Sequence, residues 1–200
     1  MIIQELLKKY RRGWLYHFTN KSNIENIKRH GIYSRALLEE NCMKYKPGGN
    51  PRSIELDKQF GMDRFIHLSY AVYNPMRSNI EFVNYDTWVA VPISKLSEET
   101  LYSDYISNAQ NTNFFCEKDV CNNFFSELIR ERVQIMTESN TCFKNMLKRL
   151  TDILDYDLKK CDFLDSLTVD EIRKRFPAIF FEILIPNRIP PEKLEYKDGN

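Results

Sequence analysis

Residues 14–34 read WLYHFTNKSNIENIKRHGIYS, and this stretch holds the first strand, helix and second strand of the predicted fold. The apolar and aromatic run at 14–18 predicts a β-strand. The Ser22-Asn-Ile-Glu25 pattern predicts a capping box at the start of a helix, and Gly31 predicts that the helix ends in a left-handed turn. Residues 32–34 predict a second short strand.

The rest of the chain alternates between strand-like and helical patterns. It predicts a helix at 1–12, a loop at 41–53, strands within 64–73 and 86–93, helical spacing from about 122 to 160, a helix at 168–175 capped by Thr168, and a strand at 178–186. Strands that come early and late, with helices between them, predict an α+β fold: a mixed β-sheet core with packed helices. Two hundred residues fit a single domain over 1–200.

Composition excludes some functional classes. The formal net charge is +1, so the chain does not belong with proteins that coat duplex DNA by charge alone, and a nucleic-acid partner has to be met by a local patch. No signal peptide and no long apolar run is present, which predicts a cytoplasmic protein without a membrane span. The five cysteines form no CxxC pair or metal-ligand spacing; we expect no metal site and interpret them as small buried hydrophobes.

Glu182 is the sharpest anomaly, because it interrupts the apolar run Ala178–Pro186. Strand alternation puts it on a face with Ala178, Phe180 and Leu184, where an unpaired carboxylate is costly. It is therefore either a functional residue or a solubilising charge on an edge strand.

The three histidines are ambiguous by sequence alone. His17 and His67 lie in predicted strands, where a histidine is more often an ordinary structural residue than a ligand. His30 falls in the last turn of a helix, where a partly charged imidazole suits the helix dipole, and we interpret it as structural.

Four segments, taken in order, resemble the DarT family, enzymes that transfer ADP-ribose from NAD⁺ to bases of single-stranded DNA. They are LYHFTNKSNIENIKRHGIYSR (15–35), DRFIHLSYAVYNPM (63–76), LYSDYISNAQNTNFF (101–115) and FPAIFFEILIPNRIPPEKLE (176–195). The family's usual start is a Tyr-His-Ile-Thr strand, a helix, a glycine, and a short strand ending near Ser-Arg. Its closing strand carries a catalytic glutamate. Each motif is loose, whereas their order and spacing together are fairly specific.

The resemblance implies roles for individual residues. Glu182 matches the catalytic glutamate, and His17 matches the histidine that holds the NAD⁺ ribose, with Thr19 and Asn23 lining the same nucleotide site. Ser69 and Tyr70 are further candidates for binding NAD⁺, the co-substrate. The family also uses an arginine in the loop after the second strand, for which Arg52 is the best candidate here and Arg64 the next. Where many members carry Tyr-Phe in the third strand, this chain reads His67-Leu-Ser-Tyr70.

The resemblance implies a transferase toxin of a toxin–antitoxin or phage-defence pair that modifies a base in single-stranded DNA or RNA, with thymine in DNA favoured. An antitoxin that removes the ADP-ribose or blocks the site is the expected protein partner. Two alternatives stay open. The same fold acts on a protein or a small molecule, or the chain is an inactive nucleic-acid-binding relative.

Overall fold

The computed structural model describes residues 2–49, 51–72, 87–104, 112–117, 132–154 and 167–196. Ten strands lie within these ranges: β1 (Trp14–Thr19), β2 (Ile32–Tyr33), β3 (Phe65–Ser69), β4 (Thr87–Pro92), β5 (Leu101–Ser103), β6 (Phe114–Cys116), β7 (Val133–Ile135), β8 (Glu182–Pro186), β9 (Arg188–Ile189) and β10 (Glu195–Tyr196). Eight form one sheet in the order β10-β4-β1-β3-β8-β5-β6-β7, while β2 and β9 form a separate pair. Among the strands in the described ranges, only β6 and β7 pair in parallel.

Six α-helices complete the described architecture: α1 (Ile2–Lys9), α2 (Ile24–His30), α3 (Arg35–Glu40), α4 (Pro51–Phe60), α5 (Thr141–Leu154) and α6 (Val169–Arg175). The predicted mixed sheet with packed helices is confirmed. Thr168 caps α6 through a full capping box with Glu171, as its sequence predicts. The assignment of one domain to residues 1–200 stays a prediction.

Each face of the large sheet is covered by its own cluster of apolar side chains. On β8, Ile183 and Ile185 belong to the main core, whereas Leu184 belongs to a smaller cluster. The main core takes up the apolar stripe of α5, whose buried residues recur at helical spacing: Phe143, Met146, Leu150, Ile153 and Leu154. The smaller cluster contains Phe60 at the end of α4 and Met62, which follows it. It therefore fastens α4 to the sheet beside Glu182.

Gly31 ends α2 and adopts a φ of +85°, a conformation that L side chains rarely adopt. A Cβ at this position would meet the carbonyl oxygen of Ile189 at 2.1 Å. The predicted helix end at Gly31 is confirmed, but the predicted left-handed turn is wrong, because ψ is −172° and lies outside the left-handed helical region. Glycine is required here for the positive φ and for the close approach of β9. Residues 32 and 33 form the predicted second strand, paired with Arg188 and Ile189.

The predicted capping box at Ser22 is wrong. Residues Lys21–Asn23 form a 3₁₀ turn that precedes α2, and Asn20 caps this turn by accepting a hydrogen bond from the Ser22 amide at 3.0 Å. Glu25 pairs instead with Lys28 one turn along α2. The asparagine competes successfully because its side chain readily bonds the backbone two residues on.

The predicted loop at 41–53 ends earlier than expected, because α4 begins at Pro51. Proline suits the first helical turn, where its fixed φ is helical and no amide donor is needed. The helical pattern predicted for about 122–160 is also interrupted, since Val133–Ile135 form β7 alongside β6. Within that range, residues 122–131 and 155–160 lie outside the described residues, as does the predicted strand tail and Pro-Met turn at 73–76.

The strand predicted at 178–186 starts at Glu182, because Pro177–Phe180 form a 3₁₀ turn instead. Ala178 and Phe180 therefore do not share a strand face with Glu182, and that part of the alternation argument is wrong. Glu182 is the first residue of β8, at the point where the buried turn meets the sheet.

The interpretation of the cysteines as buried hydrophobes is correct for Cys116 and wrong for Cys42 and Cys142, which are exposed. Cys121 and Cys161 lie outside the described residues. None of the helices in the described ranges has both the length and the apolar character needed to span a membrane.

Candidate active site

Glu182 is held in place through its own main chain. Its amide donates to Ser103 Oγ at 2.8 Å, and the same hydroxyl donates to the Glu182 carbonyl at 3.4 Å. Ser103 is 1% exposed at the end of β5, so both hydrogen bonds of this anchor are shielded from water. The Glu182 side chain keeps 20% exposure, which leaves the carboxylate reachable from solvent.

The Glu182 carboxylate pairs with a histidine on the neighbouring strand. In the β3–β8 ladder, Ser69 lies opposite Glu182 and His67 lies opposite Leu184, so His67 and Glu182 are diagonal neighbours on one sheet face. His67 Nδ1 donates to Glu182 Oε2 at 2.8 Å. We name these two side chains the His67–Glu182 pair.

The second ring nitrogen of His67 fixes its protonation state. Nε2 lies 3.3 Å from the carbonyl oxygen of Met62, which only accepts hydrogen bonds. With acceptors at both nitrogens, the ring carries two protons and a positive charge. Burial lowers the pKa of His67, but the charge and hydrogen bond of Glu182 and the nearby charge of Asp57 outweigh it, raising the pKa to about 9.

Two more charges extend the pair into a four-membered charge cluster. Asp57 on α4 lies close enough to His67 and Glu182 for their charges to act on it, and burial raises its pKa. Arg35, the first residue of α3, places Nη1 3.7 Å from Asp57 Oδ2. Both side chains are about four-fifths buried. The charge cluster (Arg35, Asp57, His67 and Glu182) thus contains two cations and two carboxylates.

His17 reaches this cluster through the main chain of β3. The β1–β3 ladder has a single partner pair, Tyr16 with Ser69, and one residue further along β1 the Nδ1–H of His17 donates to the carbonyl of His67 at 3.2 Å. Burial lowers the pKa of His17 to about 4, so its ring is neutral and Nε2 is an acceptor. The structure therefore links His17 and Glu182 through opposite ends of His67.

Thr19 and Asn23 are brought together, as the resemblance implies, but their polar groups contact the protein itself. Asn23 Nδ2 donates to Thr19 Oγ1 at 3.1 Å and to the Lys46 carbonyl at 2.9 Å, while Asn23 Oδ1 accepts from the Lys46 amide at 2.8 Å. Asn23 thus fastens the 41–49 loop to the end of β1. Its role toward a nucleotide stays a prediction.

Ser69 and Tyr70 have different surroundings. Ser69 lies between Tyr16 and Glu182 in the register of three strands, and its Oγ accepts from the Ala71 amide at 3.2 Å. Tyr70 is 4% exposed in the main core, and burial raises its pKa well above the ordinary value. The structure therefore places Ser69 beside the carboxylate and Tyr70 within the core.

The two predicted arginines lie at the surface. Arg52 is exposed in the first turn of α4, and Arg64 is exposed in the 3₁₀ turn before β3. Among the described residues, neither guanidinium forms an ion pair with Glu182. Arg35 is the arginine of the charge cluster, and the short Ser-Arg ending of the second strand was its signal in the sequence.

Sequence reasoning also missed His67, Asp57 and Ser103 as neighbours of Glu182. Among the described residues, no group of three or more histidine, cysteine, aspartate or glutamate side chains is arranged to hold a metal ion. The arrangement instead offers a preorganised carboxylate with one oxygen held by a cation. Such a group can stabilise positive charge that develops on a substrate.

One comparison with a solved structure relates this fold to that of a known protein. The fold is similar to that of Thermosipho africanus DarTG, solved in complex with ADP-ribose. The TM-score is 0.61 at 16% sequence identity, over 94% of this chain and 44% of that one. The chain thus spans under half the length of its structural neighbour. No protein-family model matches the chain, and no curated protein sequence matches it.

Proposed function

We propose that this chain is an NAD⁺-dependent ADP-ribosyltransferase that modifies a nucleobase in single-stranded nucleic acid and releases nicotinamide. The observation that carries the proposal is the Glu182 carboxylate, held at 2.8 Å by His67 and anchored by Ser103, in a fold similar to that of an ADP-ribose-bound DarTG. The order of the four sequence motifs supports the same assignment.

Transfer of ADP-ribose from NAD⁺ requires a carboxylate placed beside the ribose. NAD⁺ supplies an activated glycosidic bond, and as that bond breaks, positive charge develops on the ribose. Glu182 stabilises this charge and accepts a hydrogen bond from a ribose hydroxyl. The bond between nicotinamide and the ribose carbon breaks with its electron pair leaving on nicotinamide, while a base nitrogen forms the new bond. The proton lost by that nitrogen passes to Glu182 and then to water.

His17 supports the ribose in this proposal. Because its Nδ1–H is engaged with the His67 carbonyl, its neutral Nε2 is the acceptor for a ribose hydroxyl. Arg35, at the entrance to α3, is a third candidate for the arginine role beside Arg52 and Arg64. Its guanidinium is the one paired within the charge cluster.

We further propose that the acceptor is a base in DNA, with thymine favoured, and that the enzyme is the toxin of a toxin–antitoxin or phage-defence pair. In a single strand no base has to be extruded from a duplex. A single strand can also be met by a local surface patch, which a chain of formal net charge +1 can provide. The expected protein partner is an antitoxin that hydrolyses the mark or blocks the site. Because NAD⁺ and nucleic acid are both present in the cytoplasm, we place the reaction there.

Incubation with NAD⁺ and a panel of single-stranded DNA and RNA oligonucleotides, each restricted in base composition, tests the proposal. Mass spectrometry should find one or more ADP-ribosyl groups on oligonucleotides that contain the target base, together with free nicotinamide. Label on a protein target, with every oligonucleotide unmodified, would support the protein-modifying alternative. NAD⁺ that neither binds nor is consumed, while oligonucleotides still bind, would support the inactive relative.

A further inference from the structure

We propose that His67 is a positioning residue for Glu182: its doubly hydrogen-bonded ring holds Oε2 so that Oε1 alone receives the substrate. The predicted effect on catalysis rests on the proposed function, whereas the hydrogen bonds of His67 do not. The inference goes beyond that function by assigning a role to a residue that departs from the Tyr-Phe pattern expected at this strand.

The ring of His67 has little rotational freedom. Nε2 is tied to the carbonyl of Met62, a residue that is 2% exposed in the 3₁₀ turn before β3, and Nδ1 is tied to Glu182 Oε2. A flip of the imidazole would break both bonds. The hydrogen bond to the Met62 carbonyl therefore orients the His67 ring, and the ring in turn orients the Glu182 carboxylate.

Glu182 is consequently fixed at both ends. Its amide and carbonyl are engaged by Ser103, and Oε2 is engaged by His67. Within the described part of the chain, Oε1 accepts no hydrogen bond. This oxygen is the free acceptor that a ribose hydroxyl requires, and its direction follows from the bond on the other oxygen. A carboxylate held this way needs little reorganisation when charge develops.

Two carboxylates act on the charge of the His67 ring: Glu182 on β8 and Asp57 on α4. Arg35 on α3 pairs with Asp57, and Asp63 in the adjacent 3₁₀ turn also acts on Asp57. The neutral His17 on β1 faces the ring through the His67 carbonyl. While His67 is protonated, the charge cluster is neutral overall. Loss of its proton would leave two carboxylates facing one guanidinium and would weaken the hold on Oε2. Activity should therefore fall on the alkaline side as His67 titrates.

The first test measures the protonation state of the His67 ring directly and does not depend on an assay of ADP-ribosyl transfer. In the full chain labelled with ¹⁵N-histidine, the His67 ring should show two protonated nitrogens at neutral pH and should titrate well above the ordinary pKa of a histidine. Glu182→Gln should shift the His67 titration down by at least one pH unit. A His67 ring that is neutral at pH 7 would overturn the proposal.

The second test compares two amide substitutions at His67, which differ in where they place the side-chain nitrogen. The side-chain nitrogen of His67→Asn falls near the lost Nδ1 and can still donate to Glu182, whereas that of His67→Gln falls near the lost Nε2 and cannot. We expect kcat to fall about 100-fold for Gln and about 10-fold for Asn, with KM for NAD⁺ within about twofold. Both variants should lose the alkaline limb of the kcat profile. His30→Gln, at an exposed position on α2, is the matched control and should match the wild type.

The failures are distinguishable. If the wild type modifies no acceptor but the nitrogen spectra show the pair, the proposed function fails and the geometry of His67 stands. If transfer occurs and His67→Gln retains the wild-type kcat and pH profile, the function stands and the positioning role is wrong. Thermal unfolding of each variant checks that a loss of kcat does not come from a loss of folded protein.

Discussion

His17 and His67, on adjacent strands, are held in opposite protonation states although one ring donates to the other residue's carbonyl at 3.2 Å. Burial lowers the pKa of His17 to about 4, whereas Glu182 raises that of His67 to about 9 against the effect of burial. The neutral ring and the charged ring thus differ in what they can do: the first has a free acceptor lone pair at Nε2, and the second holds a carboxylate.

These two pKa values predict a stability maximum near pH 6.5. Between about 6.5 and 9 the folded state binds the extra proton at His67, so stability falls as the pH rises. Between about 6.5 and 4 the unfolded state binds the extra proton at His17, so stability falls as the pH drops. Because solvent screens the exposed edge of His67, its contribution should be about 1–2 kcal/mol.

Thermal unfolding followed by circular dichroism across this pH range measures the effect. His67→Gln should flatten the alkaline limb and His17→Gln the acidic limb. If both variants keep the wild-type curve, the assignment of the two protonation states is wrong.

Glu182→Gln should reduce transfer about 10²- to 10³-fold, because the amide keeps the shape of the side chain and loses its charge. The measurement is the rate of ADP-ribosyl incorporation into the best oligonucleotide, with nicotinamide release as a second readout. Glu195→Gln, at an exposed position on β10, is the control and should keep full activity. Equal rates for the two variants would remove Glu182 from the mechanism.

Arg35→Lys should weaken NAD⁺ utilisation more than Arg52→Lys, by about tenfold or more in kcat/KM. The reason is geometric: Arg35 is largely buried and paired with Asp57 within the charge cluster, whereas Arg52 is exposed on the first turn of α4. A lysine keeps the charge and loses the planar fork of donors. The reverse order of effects would restore Arg52 as the functional arginine.

Gly31→Ala should destabilise the fold by about 2–4 kcal/mol, because a Cβ adds strain at positive φ and would overlap the Ile189 carbonyl. Urea unfolding gives the free energy of unfolding directly. Gly13→Ala is the matched control, since a Cβ there meets nothing within 4 Å, and it should be close to neutral. Similar losses for both variants would show that helix-end geometry is not the cause.

Local patterns were enough to predict the elements whose signals lie within a few residues. Gly31 marked the end of α2, Thr168 marked the start of α6, and the charge of Glu182 stood out within its apolar run. By contrast, the capping box predicted at Ser22 does not form, because the neighbouring Asn20 accepts a hydrogen bond from the Ser22 amide and caps a 3₁₀ turn there. Local sequence rules cannot rank two competing caps without their geometry.

His67 could not be assigned to the site from the sequence, because its partner is defined by strand register. Only the alignment of Ser69 with Glu182 across β3 and β8 brings the His67 ring to the carboxylate. A shift of one residue would put it on the other sheet face. The same holds for Arg35 and Asp57, which lie on different helices and are paired only in the folded structure.

The two members of the His67–Glu182 pair are separated by 115 positions along the chain. A ribosome therefore completes β1 and β3 long before it adds the strand that carries the carboxylate. A nascent or truncated chain has the histidine without its counter-ion and lacks the group proposed to act on the ribose. Synthesis order alone would keep a growing chain without its proposed catalytic carboxylate until position 182 has been translated.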